Sequence, residues 1–145
     1  GRSRALKNEN EILDMIRERY PHWVVQRFTG SLSVMDSVRL FSVADIVIAP
    51  HGAANLFSMF MKRDGAYLEV HWGKKMPGEG NDWNPCHVSI ASSTGSKVFM
   101  HFDRQADATS GLHLPVHVAT FLMDKMDEHV KNLQPLWDGV LKELS

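Results

Sequence analysis

The chain has 145 residues, enough for one domain with a substantial hydrophobic core. Its hydrophobic share of 43% and charged share of 23% are those of a globular protein, and a formal net charge of −1 supplies no global field for nucleic acid or an anionic membrane. The single cysteine, Cys86, excludes an internal disulfide framework and a four-cysteine zinc site.

No apolar run approaches the roughly 18 residues that a bilayer span needs, so no membrane span is expected in this chain. The sequence opens on Gly-Arg-Ser-Arg and a charged stretch where a signal peptide would be apolar. A first residue other than methionine points to a processed chain or an excised domain, so compartment is not read from this end.

The pattern then runs through alternating elements. Asn8 to Tyr20 predicts a helix, with Ile12, Leu13, Ile16 and Tyr20 on one face, Asn8 and Glu11 as a cap pair, and Pro21 as its end. His22 to Phe28 is β-branched and aromatic and predicts a strand, followed by a Thr29-Gly30 turn. Ser33 and Asp36 form a capping box for a second helix with Val34, Val38 and Phe41 inward. Asp45 to Ala49 is a short, continuously apolar strand of the kind buried on both faces of a parallel sheet.

Ala53 to Met61 predicts a helix that packs Phe57, Met59, Phe60 and Met61 on the sheet, with Gly65 near its C-terminal end. Ala66 to His71 alternates, with Ala66, Leu68 and Val70 facing one way and Tyr67, Glu69 and His71 the other. Lys74 to Pro85 reads as a loop, Lys97 to Phe102 as a strand and Asp103 to His113 as a loop. Val116 to Leu133 is an amphipathic helix, and Pro135 separates it from a short terminal helix over residues 134–145. This alternation predicts an α/β fold, a Rossmann-like parallel sheet with helices on both faces, as a single domain over residues 1–145.

Ligands of such sheets sit beyond the carboxyl ends of the strands. Pro50-His51-Gly52 lies at one such end. Pro50 cannot donate to a ladder and enforces the exit, and Gly52 permits a close backbone approach. The following helix begins with unpaired amides and a positive dipole end, which suit a phosphate, and His51 adds a donor or a proton switch. The plainer alternative is a strand-to-helix turn with a core histidine, because one glycine is much weaker than a multi-glycine fingerprint.

The other candidates divide in the same way. His113 and His117 have a zinc-compatible spacing, but Pro115 intervenes and no third ligand is evident, so no metal site is expected. His71, His87 and His101 read as structural. Tyr67, His71, Trp72 and Trp83 suit either a base or sugar pocket or the core. Cys86 lacks the basic surroundings of a catalytic thiol.

Several motifs occur together in order. They are Arg4-x-x-x-Asn8-Glu9-x-Glu11, Ser31-Leu32-Ser33 before Val38-Arg39-Leu40-Phe41, Ala44 to Ala53 (ADIVIAPHGA), and Gly65-Ala66-Tyr67-Leu68-Glu69-Val70. Over residues 4–72 the chain resembles the C-terminal half of family 61 glycosyltransferases, the group with the domain of unknown function 563. The resemblance implies a GT-B architecture in which this half binds a nucleotide sugar, usually a UDP-sugar, and an inverting transfer to a glycan or protein hydroxyl without a bound metal or other cofactor. By position, Arg4 would lie near the diphosphate. His51, Gly52 and Ala53, with the adjoining Ala54 and Asn55, would form the nucleotide-sugar turn, and Glu69 would accept from ribose hydroxyls. The Golgi or endoplasmic reticulum lumen would be the compartment.

Two departures from the family pattern matter. Glycine and leucine usually follow its His-Gly-Ala, where this chain has Ala54 and Asn55, and a methyl at Ala54 crowds a phosphate. The family's first strand and the acceptor-binding domain would fall before Gly1, so a second domain or a partner chain is expected to supply the N-terminal half. No general base can be named, and this chain by itself is not expected to catalyse transfer. The alternatives are an inactive glycosyltransferase-like scaffold or assembly subunit and, more weakly, an unrelated nucleotide-binding module.

Overall fold

The computed structural model describes residues 5–73, 85–106 and 110–144, with side chains as far as Leu133. In chain order the elements are α1 (Glu9–Arg19), α2 (Val34–Ser42), β1 (Ile46–Pro50), a 3-10 helix (Ala53–Phe60), β2 (Ala66–Trp72), α3 (Cys86–Ser93), β3 (Lys97–Asp103) and α4 (Val116–Leu144). The strands form one sheet in the order β1-β2-β3. Both pairings are parallel, with Ile46 opposite Ala66 and Pro50 opposite Val70 on one side of β2, and Ala66 opposite Lys97 and Trp72 opposite Asp103 on the other.

All seven residues of β2 are buried, which requires cover on both faces. Ala66, Leu68 and Val70 join Ile12 and Ile16 of α1 and Met123 and Met126 of α4 in one core. Tyr67 points to the other face, into a second core with Phe41 of α2, Met61 and Ala91 of α3. The α/β class, the parallel sheet and the helices on both faces are therefore as the alternation of the sequence predicts.

Local chemistry explains the boundaries. The Asp36 amide donates to the Ser33 hydroxyl oxygen at 3.1 Å and that hydroxyl donates to the Asp36 carboxylate at 2.7 Å, which completes the capping box of α2. Phe41 is buried, but Val34 is 69% exposed because the first turn of α2 projects beyond the core. Gly65 opens β2 where a Cβ would stand 2.9 Å from the Asp45 carbonyl and 3.1 Å from that of Lys62, so its lack of a side chain lets β2 pair with β1.

Six expectations need correction. The apolar strand β1 is not buried on both faces: it lies at the edge of the sheet and is half-buried throughout. His22–Phe28 forms no strand. Its side chains are tied to helices: the Trp23 indole donates to Asp127 of α4 at 2.9 Å, His22 bonds the same carboxylate at 2.9 Å, and Arg27 pairs with Glu9 of α1 at 2.8 Å. Val24 is left fully exposed, so the half-buried surface that rewards β-branched residues is missing. The segment after Gly52 is a 3-10 helix, and only part of its apolar face is covered: Met61 is buried, whereas Met59 and Phe60 are 45% and 41% exposed.

A third helix, α3, lies where the sequence gives no helical signal. α4 continues through Pro135 to Leu144, so the terminal helix is its extension; a proline removes one backbone bond of a helix and leaves the others. Asn8 precedes α1 without capping it. Its amide instead donates to Glu11 at 3.1 Å and to the Leu114 carbonyl at 2.8 Å, and the Leu114 amide returns a bond at 3.3 Å, so Asn8 ties α1 to the chain entering α4.

Candidate functional site

β1 is an edge strand whose outer side borders a groove of ≈ 1390 Å³, walled opposite by α1 and the segment around Trp23 to Arg27. The carboxyl end of β1 lies along this groove through Pro50, Gly52, Ala53, Ala54 and Asn55. Beyond Pro50 the His51 amide still donates to the Val70 carbonyl at 2.8 Å, so the chain stays on the sheet for one more residue. Gly52 is extended (φ 176°), and the Asn55 amide donates to its carbonyl at 2.9 Å to begin the 3-10 helix.

Asn55 is buried and braces the turn, its side-chain amide donating to the Pro50 carbonyl at 3.1 Å. Ala53 and Ala54 are exposed. The first amides of any helix lack acceptors within it. Residues 50–55 carry no Asp, Glu, Lys or Arg side chain.

His51 points the other way. It is 4% exposed and does not line the groove. Its Nδ1 bonds Oε1 of Glu69, and Nδ1 of His87 reaches the same oxygen at 3.3 Å. Ring packing fixes the arrangement: the His51 centroid lies 4.3 Å from that of His71, 4.7 Å from His87 and 4.8 Å from Trp72. Glu69 is fully buried, and its Oε2 has no hydrogen-bond partner among the described residues.

Burial by itself pushes the Glu69 carboxyl up, but the hydrogen bonds and charges of His51 and His87 outweigh it and hold the group below the usual carboxylate range. Burial, and then the Glu69 charge, pushes the neighbouring Tyr67 phenol up. Two histidines thus hydrogen-bond a carboxyl group that has no exposed surface.

The predicted site residues therefore fall into two layers. Gly52, Ala53 and Ala54, with Asn55 behind them, face the groove. His51 and Glu69 form a buried layer behind the turn, where Glu69 meets His51 and His87. Arg4 and Trp83 lie outside the described residues, as does most of the Lys74–Pro85 loop. Tyr67, His71 and Trp72 belong to the interior.

His87 is the member that sequence reasoning missed. The signal was topological: two consecutive parallel strands need a crossover, usually helical, and Cys86 to Ser93 is the helix that lies between β2 and β3. His113 and His117 are both exposed. Among the described residues, the group able to hold a metal is instead His51, Glu69 and His87, whose ligand atoms lie within 4.8 Å of one another. No helix among the described residues is long and apolar enough to cross a membrane.

With this geometry in place, the comparisons with known proteins bear on a definite part of the chain. Residues 1–68 match the model of the family Glycosyltransferase 61. This part of the chain is glycosyltransferase-like. The match takes in α1, α2, β1, the Gly52 turn and the first residues of β2. It stops one residue before Glu69, so the groove-facing layer and His51 lie inside it, and Glu69 and His87 lie outside. No curated protein matches the chain.

Proposed function

We propose that this domain is the donor-binding half of a glycosyltransferase, holding a UDP-sugar whose sugar passes to a hydroxyl of a glycan or protein acceptor with inversion. The observation that carries this reading is the position of the Gly52–Ala54 turn. It lies at the carboxyl end of β1, within the family match, and it opens on the ≈ 1390 Å³ groove. The diphosphate would lie against the amides of this corner, with Arg4 supplying a cation. An acceptor hydroxyl would attack the anomeric carbon from the face opposite the diphosphate. The bond from that carbon to the diphosphate oxygen breaks, the electron pair leaves with the diphosphate, and a base takes the hydroxyl proton. The corner's contribution is to stabilise the charge that grows on the leaving oxygens. The base and the acceptor surface belong to the second domain or partner chain, and transfer draws on no catalytic metal in this scheme. His51 and Glu69 act from below, as supports of the turn.

One observation favours a second reading, an inactive glycosyltransferase-like scaffold or assembly subunit. His51 and Glu69 are spent on each other and on His87, which leaves neither free to meet a nucleotide sugar in the groove. Calorimetric titration of the chain with UDP and UDP-sugars separates the two. Saturable binding that disappears in Ala54→Trp, a variant with a side chain directed at an exposed position, supports the donor site. A folded chain that binds neither ligand supports the scaffold.

A further inference from the structure

We propose that His51, Glu69 and His87 together hold one divalent metal ion, zinc by the chemistry of the donors, as a buried staple beneath the Gly52 turn. The three residues come from three elements: the residue after β1, the middle of β2 and the first turn of α3. All are buried, at 4%, 0% and 5% exposure, and their ligand atoms lie within 4.8 Å of one another. Two imidazole nitrogens and a carboxylate are a set that zinc takes readily, at about 2.0–2.2 Å per bond. Donors around a tetrahedral ion at that distance stand about 3.4 Å apart, so the cluster closes around it by adjustments of about 1–1.5 Å.

The unused oxygen strengthens the case. Both histidines turn Nδ1 to Oε1 of Glu69, while Oε2 is buried with no hydrogen-bond partner among the described residues. A buried carboxylate oxygen without a donor carries an uncompensated desolvation cost. An ion bound through the carboxylate relieves that cost, and two imidazoles with one carboxylate supply three protein ligands, leaving a fourth position for a water or a further donor. On binding, each Nδ1 presents its lone pair and the ring's single proton resides on Nε2. The packed rings of His71 and Trp72 leave such an ion shielded from substrate. It would tie α3 to the β1–β2 junction, and it acts on stability whether or not a nucleotide sugar binds above it.

The test is metal analysis of the full chain purified without a polyhistidine tag. About one zinc per chain is expected. After removal of the metal, one equivalent of cobalt should produce visible d–d absorption, and a chelator should lower the melting temperature. His87→Ala should lose the metal, and a His113→Ala/His117→Ala double variant should keep it. If His87→Ala does not fold, the cobalt spectrum of the unmodified chain decides. A folded, metal-free chain that takes up neither zinc nor cobalt stoichiometrically, and melts equally with and without chelator, overturns the proposal and leaves a hydrogen-bonded cluster. Loss of metal from the double variant but not from His87→Ala overturns it as well. These readouts are independent of UDP titration, so the failure of one proposal is distinguishable from the failure of the other.

Discussion

His51 extends the register of β1 by one step, which sets it opposite His71 and makes Glu69 its diagonal neighbour on the same face of the sheet. The bond between His51 Nδ1 and Glu69 Oε1 therefore clamps the exit of β1 to the middle of β2, at the point where the chain turns into the groove-lining corner. Here a backbone bond from His51 to Val70 and a side-chain bond to Glu69 hold the chain for one residue more, so the position of Gly52 is fixed from inside the protein.

Removing the charge of Glu69 should be costly. Glu69→Gln leaves His51 and His87 facing a neutral amide in a site that water does not reach. Breaking a buried, hydrogen-bonded ionic group costs about 3–5 kcal/mol. Urea unfolding of Glu69→Gln is expected to show a loss in that range with an unchanged denaturant slope. A loss below about 1 kcal/mol would mean that the cluster contributes little to the fold.

Acid should loosen the contact between α4 and the segment after α1. Burial favours the protonated form of Asp127, but hydrogen bonds from Lys131, His22 and Trp23 prevail and hold its carboxyl down at about 2, from an ordinary value of 3.8. A carboxyl depressed in the folded state adds stability above its unfolded value, and that stability is lost as pH falls through the folded one. The window here is from about pH 4 down to about pH 2. Asp127→Asn should therefore melt lower than the unmodified chain at pH 7, and the gap between the two should close as pH falls through this window. A gap that stays constant down to pH 2 would show that the charge of Asp127 plays no part.

How much of this was legible in the sequence depends on how local the signal is. The Ser33–Asp36 cap and the alternation of β2 are short-range patterns, and the structure has both; the apolar run of β1 is a strand too, but its edge position, set by sheet order, leaves it half-buried. The segment His22–Phe28 has strand composition, but its fate is set by Asp127 and Glu9, partners distant in sequence that no periodicity reveals. The site divides likewise. A proline and a glycine at the end of an apolar run mark the corner, because turn chemistry is local. Which way His51 points depends on Glu69 and His87, brought to it by sheet register and by a crossover helix. The hydrophobic pattern around Cys86 to Ser93 is too short and too mixed to announce that helix.

Gly65 should tolerate no side chain. Its ideal Cβ would lie 2.9 Å from one carbonyl oxygen and 3.1 Å from another, and both belong to backbone that cannot yield cheaply. Overpacking of this kind typically costs 1–3 kcal/mol, so Gly65→Ala should lose about 2 kcal/mol in urea unfolding. Gly30→Ala serves as a contrast: no atom lies within 4 Å of its Cβ, and only its positive φ of 75° penalises the change. Equal losses at the two positions would remove steric crowding as the explanation.

The strand-like segment before α2 gives the last prediction. If Trp23 to Arg27 is held by helices and not by a sheet, its anchors and its apolar residues should respond in opposite ways to substitution. Trp23 stacks on Tyr20 with centroids 4.3 Å apart and donates to Asp127 at 2.9 Å. Trp23→Phe keeps a ring for the stack and removes the hydrogen bond, and should cost about 1 kcal/mol. Val24 is fully exposed, so Val24→Thr should change stability by less than about 0.5 kcal/mol. Thermal or urea unfolding of the two variants measures both. A large loss at Val24 with none at Trp23 would mean that the segment is packed through its β-branched face, as a strand would be, and that the anchors to α1 and α4 do not determine its conformation.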